Sequence, residues 1–171
     1  LSTPLLFYKG FMALQIHRIS NTLWLEKQPT IALSLQAIIS SNYAIDIHPN
    51  AKIGYGVMLD HATGIVIGET AIIDDNVSIM QSVTLGGTGK HSGDRHPKIR
   101  SNVLIGPSAT ILGNIEIGNG SLIGAASVVL ESVPPRSIVA GVPAKKIGHT
   151  DGFSPSVSMD QIFLNIFFIN V

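Results

Sequence analysis

From Ile47 onward, aliphatic residues return at every sixth position: Ile47, Ile53 and Leu59, then Ile67, Ile73, Ile79 and Leu85, then Ile99, Ile105, Ile111, Ile117, Ile123 and Val129. The register slips by two residues after Leu59 and breaks between Leu85 and Ile99. Four places after each aliphatic there is usually a small or β-branched residue, such as Ala51, Thr63, Val77, Val103, Ala109 or Ser127. Glycine directly follows the aliphatic at Gly54, Gly68, Gly86, Gly106, Gly118 and Gly124. Neither the 3.6-residue period of a helix nor the two-residue alternation of a half-buried strand fits this pattern. Short strands joined by regular corners do fit: the aliphatics fill the interior, and glycine or asparagine takes the unusual corner backbone. The pattern predicts a parallel β-helix, in which three repeats make a triangular coil of about 18 residues and coils stack about 4.8 Å apart.

Residues 1–44 follow another rule. Leu5, Leu6, Tyr8, Phe11, Met12, Leu14, Ile16, Ile19 and Leu23 fall at mixed three- and four-residue spacings, which predicts an amphipathic helix with Pro4 in its first turn. Pro29 can open a second helix through Ala32–Ile39. Together these helices would cap the first coil and cover its exposed strand edge. The chain therefore divides into a helical segment (1–44), a β-helix (45–148) carrying a projecting polar loop (86–98), and a tail (149–171). The tail abandons the six-residue period. Its Ile162, Phe163, Leu164, Ile166, Phe167, Phe168 and Ile169 make an end apolar enough to need somewhere to dock.

Composition narrows what such a fold can serve. Among 171 residues there are 11 Lys+Arg and 11 Asp+Glu, so no basic excess is present to neutralise nucleic-acid phosphates. Only 13% of residues are charged while 45% are hydrophobic. No apolar run approaches the roughly 18 residues of a membrane span, so the surplus belongs to a core or an interface. The absence of cysteine removes disulfides, thiolate nucleophiles and cysteine-based zinc sites together. The chain opens at Leu1 without an initiator Met, signal or transit segment, and reads as a fragment or a processed chain.

The residues that can carry chemistry cluster where the period breaks. Asp60-His61-Ala62-Thr63-Gly64 sits at the two-residue slip, and the interruption reads Gly86-Gly87-Thr88-Gly89-Lys90-His91-Ser92-Gly93-Asp94-Arg95-His96-Pro97-Lys98. With Asp46-Ile47-His48-Pro49, Gly68-Glu69-Thr70-Ala71 and Val83-Thr84-Leu85, these segments resemble the serine O-acetyltransferase family, over about Pro4 to Gly148. The resemblance implies a mainly β fold, a left-handed parallel β-helix of hexapeptide repeats with a short N-terminal α-helical segment. It implies transfer of acetyl from acetyl-CoA to the L-serine hydroxyl, giving O-acetylserine for cysteine biosynthesis.

Because a serine hydroxyl is a poor nucleophile at neutral pH, such a transfer needs a general base. By resemblance His61 is that base and Asp46 the carboxylate that orients it; their 15-residue separation is close to one coil. Asp60, Arg95 and His96 are the expected serine-binding residues, Arg95 suited to the carboxylate and Asp60 to the ammonium. A neutral His96 can also donate to the developing oxyanion. For CoA, Gly87, Thr88 and Gly89 offer backbone amides, and Ala109, Ala125 and Ala126 leave room for the pantetheine arm. Lys90 and Lys145 are the expected phosphate partners. The resemblance calls for no metal and no permanently bound cofactor. Lacking cysteine, the chain must transfer acetyl directly, without an acyl-thioenzyme.

Members of the family assemble as trimers with each acyl-CoA cleft between neighbouring β-helices. A cytoplasmic homotrimer is therefore expected, with the loop of one subunit meeting His61 of the next. Members also carry a larger N-terminal helical domain that joins two trimers and supplies a further acidic residue to the site. Residues 1–44 read as its remnant, so a trimer is expected rather than a hexamer, and sensitivity to cysteine is left open. The family's tail often ends in Ile and inserts into O-acetylserine sulfhydrylase (cysteine synthase). Here it ends Phe168-Ile169-Asn170-Val171, and the missing methylene, worth about 0.8 kcal/mol, predicts weak binding.

Two alternatives stand beside this reading. One is a scaffold of little or no activity that binds cysteine synthase. The other is a metalloenzyme like the gamma-class carbonic anhydrases, with His61, His91 and His96 around a metal between subunits. His91 separates the two enzymes, being dispensable in one and a ligand in the other. His48 reads as a capping or packing residue, and His17 and His149 as incidental.

Overall fold

Each six-residue repeat is long enough for one short strand and a corner, so a strand finds its partner in the coil above or below rather than in its chain neighbour. The computed structural model describes residues 7–90, 92–150 and 154–159. Strands are numbered in chain order. Face one stacks β1 (Asp46–Ile47), β4 (Val66–Ile67), β7 (Thr84–Gly86), β10 (Thr110–Leu112) and β13 (Val128–Val129). Face two stacks β2 (Lys52–Ile53), β5 (Ile72–Ile73), β8 (Lys98–Ile99) and β11 (Glu116–Ile117). Face three stacks β3 (Met58–Leu59), β6 (Ser78–Ile79), β9 (Leu104–Ile105), β12 (Leu122–Ile123) and β14 (Ser137–Gly141). All these pairings are parallel, and β15 (Ala144–His149) folds back antiparallel on β14 to cover the last coil. The parallel β-helix expected from the repeats, left-handed as the resemblance implies, is the fold of this chain.

Along face one, partners lie 20, 18, 26 and 18 residues apart: Asp46 to Val66, Val66 to Thr84, Thr84 to Thr110 and Thr110 to Val128. The two departures from 18 are the slip at His61 and the loop after Gly86. Every aliphatic of the six-residue series is buried except Ile53, which packs against the core from its edge. Val133 and Val139 continue the series in the fifth coil. At the slip, Thr63 is exposed and Ile65 takes the inward place, because the two extra residues push that position along.

Two of the three corners need left-handed backbone. Leaving face three, Ala62, Ser82, Ser108 and Ala126 all have φ of 55–60°. Leaving face two, Asn76, Asn102 and Arg136 have φ of 53–62°. Left-handed backbone costs a residue with a Cβ on the order of 1 kcal/mol, which small or Asx side chains bear best.

Helices α1 (Lys9–Leu25) and α2 (Pro29–Tyr43) close the other end, with Pro29 opening α2 as its fixed φ suits. The buried stripe of α1 is Gly10, Ala13, Leu14, His17 and Ser20. Tyr8, Phe11 and Ile19 are exposed, contrary to the apolar face read from the sequence. Small residues are selected because the helix lies close on the first coil: a Cβ on Gly10 would overlap the Leu59 carbonyl. Asn21 Nδ2 donates to the Pro49 and Ala51 carbonyls at 2.7 and 3.3 Å, and so does cap the open edge of that coil. A short helix, α3 (Pro155–Ser158), returns to face three, where Ser78 Oγ donates to the Ser156 carbonyl at 2.8 Å.

Candidate active site

The corner between faces one and two stacks three sequence-distant segments. His48 lies in the first coil, Gly68-Glu69-Thr70 in the second, and the end of the polar loop, Arg95-His96, in the third. Arg95 Nη2 donates to Glu69 Oε2 at 2.8 Å. The backbone N–H groups of Arg95 and His96 both donate to Thr70 Oγ1, at 3.0 and 3.1 Å. The His96 ring places Nδ1 3.1 Å from the Thr70 backbone nitrogen and 2.9 Å from its hydroxyl. It lies over Gly68, where any Cβ would overlap Cδ2 and Nε2. Lys98 Nζ staples the base of the loop, donating to the Thr70 and His96 carbonyls at 2.9 and 2.7 Å and to Asp94 Oδ1 at 2.6 Å.

Thus the loop does not project as a whole: Thr88 to Lys90 and Ser92 to Asp94 are exposed, but His96 is only 7% exposed. Burial is the main cause of a lowered His96 pKa; Arg95 adds to it and Glu69 opposes it. The Lys98 hydrogen bond holds the Asp94 carboxyl below its ordinary value.

Asp60 and His61 occupy the other edge of face one, at the corner arriving from face three. There His61 and Ala62 are both left-handed, at φ 55° and 60°, so the extra residues turn the His61 side chain outward, 71% exposed. His61 Nε2 is 3.6 Å from Asp60 Oδ2. Asp46 Oδ1 instead accepts from Gln36 Nε2 of α2 at 2.6 Å, and the described bonds do not join it to His61. A cavity of about 690 Å³ opens beside this corner, walled by Phe7, Tyr8, Phe11 and Leu14 of the helical cap and by Val57 to His61.

The residues expected to hold CoA divide in the same way. Gly87, Thr88, Gly89 and Lys90 begin the loop on the face-two edge, while exposed Ala125 and Ala126 lie on the face-three edge. Lys145 lies on β15, beside a cleft of about 320 Å³. Ala109 belongs elsewhere: its methyl is fully buried in the interior core, where it can make no room for a ligand outside. His48 packs edge-on to Trp24 with ring centroids 5.0 Å apart, and its Nδ1 accepts the Asn50 N–H at 3.0 Å. Burial lowers its pKa, against the pull of Glu69 and Asp46. His17 is buried under the first coil.

Glu69 and Thr70 were missed as individual site residues. Their motif stood out in the sequence, yet only the stacking of the second coil on the third shows what they hold. The two edges of face one are separated by the strand from Gly64 to Gly68, about 13 Å at 3.3 Å per residue. Among the described residues no group of three His, Asp or Glu is arranged to hold a metal. His91, on which the hydratase alternative turns, lies outside the described residues, as do Pro4 and the apolar tail from Asp160. No described helix is long and apolar enough to cross a membrane.

The bacterial transferase hexapeptide family (six repeats) matches residues 96–131. The serine acetyltransferase of Salmonella typhimurium is 61% identical over 165 residues, 96% of this chain and 60% of that protein. A solved serine acetyltransferase in complex with cysteine aligns with a TM-score of 0.92 at 56% identity, over 95% of this chain and 63% of that one. The serine acetyltransferase of Brucella abortus strain S19 in complex with coenzyme A aligns with a TM-score of 0.86 at 57% identity, over 87% and 60% of the two chains. This chain thus spans about 60% of the length of the curated relatives it matches. The resemblance carried by the His-bearing segments extends over nearly all of it.

Proposed function

We propose that this chain, which carries serine acetyltransferase sequence along nearly its whole length, transfers the acetyl group of acetyl-CoA to the hydroxyl of L-serine. The observation that carries the reading is the pair of prepared edges on face one. An exposed histidine sits on a double left-handed turn at one edge, and a guanidinium beside a buried histidine is held at the other. The cysteine complex of one relative and the coenzyme A complex of another support an amino acid and CoA as the ligands.

In this mechanism Arg95 takes the serine carboxylate and Asp60 the ammonium. His61 removes the hydroxyl proton as the oxygen attacks the thioester carbonyl, and Asp46, paired with Gln36 in the free chain, turns to His61 as its orienting carboxylate. His96 donates to the oxyanion that forms. The C–S bond then breaks, the proton passes from His61 to the departing CoA sulfur, and O-acetylserine and CoA leave. Acetyl-CoA enters as a co-substrate, lying along face one between the Gly87 to Lys90 segment and Ala125-Ala126.

One serine is far too short to touch both edges of one face across about 13 Å. We therefore assign the working site to two neighbouring copies in a homotrimer, the His61 edge of one against the Arg95 edge of the next. The test is CoA release from acetyl-CoA and L-serine. His61→Ala should remove it, and mixing His61→Ala with Arg95→Ala chains should restore part of it through sites formed by the two intact edges. Equal rates in wild type and His61→Ala would sink the assignment. No rate in either would turn the reading toward a scaffold.

A further inference from the structure

We propose that Thr70 is the positioning residue of this site: it sets His96 as the tautomer carrying its proton on Nε2, and it ties the Arg95–His96 backbone to the second coil. The proposal rests on the acetyl-transfer reading for its purpose, but its geometry stands apart from it. A backbone N–H can only donate, and that of Thr70 lies 3.1 Å from His96 Nδ1. Nδ1 must therefore present a lone pair, which leaves the ring proton on Nε2. The Thr70 hydroxyl oxygen accepts the N–H groups of Arg95 and His96 at 3.0 and 3.1 Å. Its own proton then goes to Nδ1, 2.9 Å away, or to the Asp94 carboxylate, which it also meets.

Protonation of His96 would set an N–H against an N–H and break this circuit. The surroundings act in the same sense: burial, Arg95, Lys98 and His48 disfavour the cation, and only Glu69 favours it. His96 is thereby kept as a neutral donor at Nε2, its ring seated in the space that Gly68 leaves by having no side chain. That one proton serves the oxyanion, and serine is felt through Arg95, whose backbone the Thr70 hydroxyl seats. Thr70 touches no substrate and acts through its two neighbours.

The experiment is ¹⁵N NMR of histidine-labelled protein, with His96→Asn for assignment, alongside steady-state kinetics. In wild type near neutral pH, His96 should show a bare Nδ1 and a protonated Nε2. Thr70→Val keeps the shape and the backbone N–H but loses the hydroxyl that seats the Arg95–His96 backbone, so the His96 ring should no longer be held against that N–H. The variant should give mixed tautomers, a His96 titration closer to that of free histidine, and a serine KM raised about tenfold with acetyl-CoA KM unchanged. Thr70→Ser should restore all three. A wild-type proton on Nδ1, or a Thr70→Val protein whose tautomer and titration match wild type, would overturn the proposal. The tautomer and titration are measured without substrate, so the Thr70 assignment stands or falls on them even if no acetyl transfer occurs.

Discussion

Acid should loosen the junction between α1 and the first coil through His17. This side chain is 2% exposed, and its Nδ1 has no hydrogen-bond partner among the described residues. Burial lowers its pKa from 6.5 to about 4; a hydrogen bond to the Ala51 backbone opposes this, while Arg18 and His48 add to it. The folded protein therefore holds His17 neutral, whereas the unfolded chain takes up a proton as pH falls through 6.5. Stability from this residue is complete above pH 6.5, is lost on the way down to about pH 4, and changes no further below.

The depression corresponds to about 3 kcal/mol at 1.36 kcal/mol per unit, a large share of the roughly 5–15 kcal/mol of an ordinary domain. Burial also lowers the pKa of His48 and His96, so wild type must be compared with His17→Leu, which fills the same space without titrating. Urea unfolding at fixed protein concentration can be followed by the fluorescence of Trp24, the chain's one tryptophan. Between pH 7.5 and 4.5, wild type should lose roughly 2–3 kcal/mol more than the variant. Parallel pH dependences would refute the assignment of this proton to His17.

Gly68→Ala should push the His96 ring off its seat, at a folding cost of about 1–3 kcal/mol. Serine KM should rise while acetyl-CoA KM holds; an unchanged serine KM would show that the ring's place over Gly68 does not matter. Ala109 and Ala125 should behave oppositely although the sequence suggests a CoA role for both. Ala109→Leu overpacks the core and should lower stability by about 2 kcal/mol in a thermal or urea melt. Ala125→Trp should leave the melt unchanged and raise acetyl-CoA KM, and the reverse pattern would move the CoA path elsewhere.

The six-residue aliphatic period by itself determined the β-helix, its three faces and most of its core residues. A repeat that places an aliphatic inward at fixed intervals admits few other ways to bury it. The same period marked the site by its two interruptions, at His61 and after Gly86. Where the disturbance was local, the sequence could not say which residue moved: only the tertiary structure put Ile65 inside in place of Thr63. It also showed the close seat of α1 and the inward methyl of Ala109.

The work of Glu69 and Thr70 was decided in three dimensions too. Thr70 and His96 are 26 residues apart and meet because one coil stacks on the next. His17 is a similar case, an unremarkable position on a helix until the first coil closes over it. The period is set by short-range backbone geometry and survives in one dimension. Hydrogen bonds between coils and the desolvation of a single side chain depend on which segments fall above one another, and that exists only once the coil is wound.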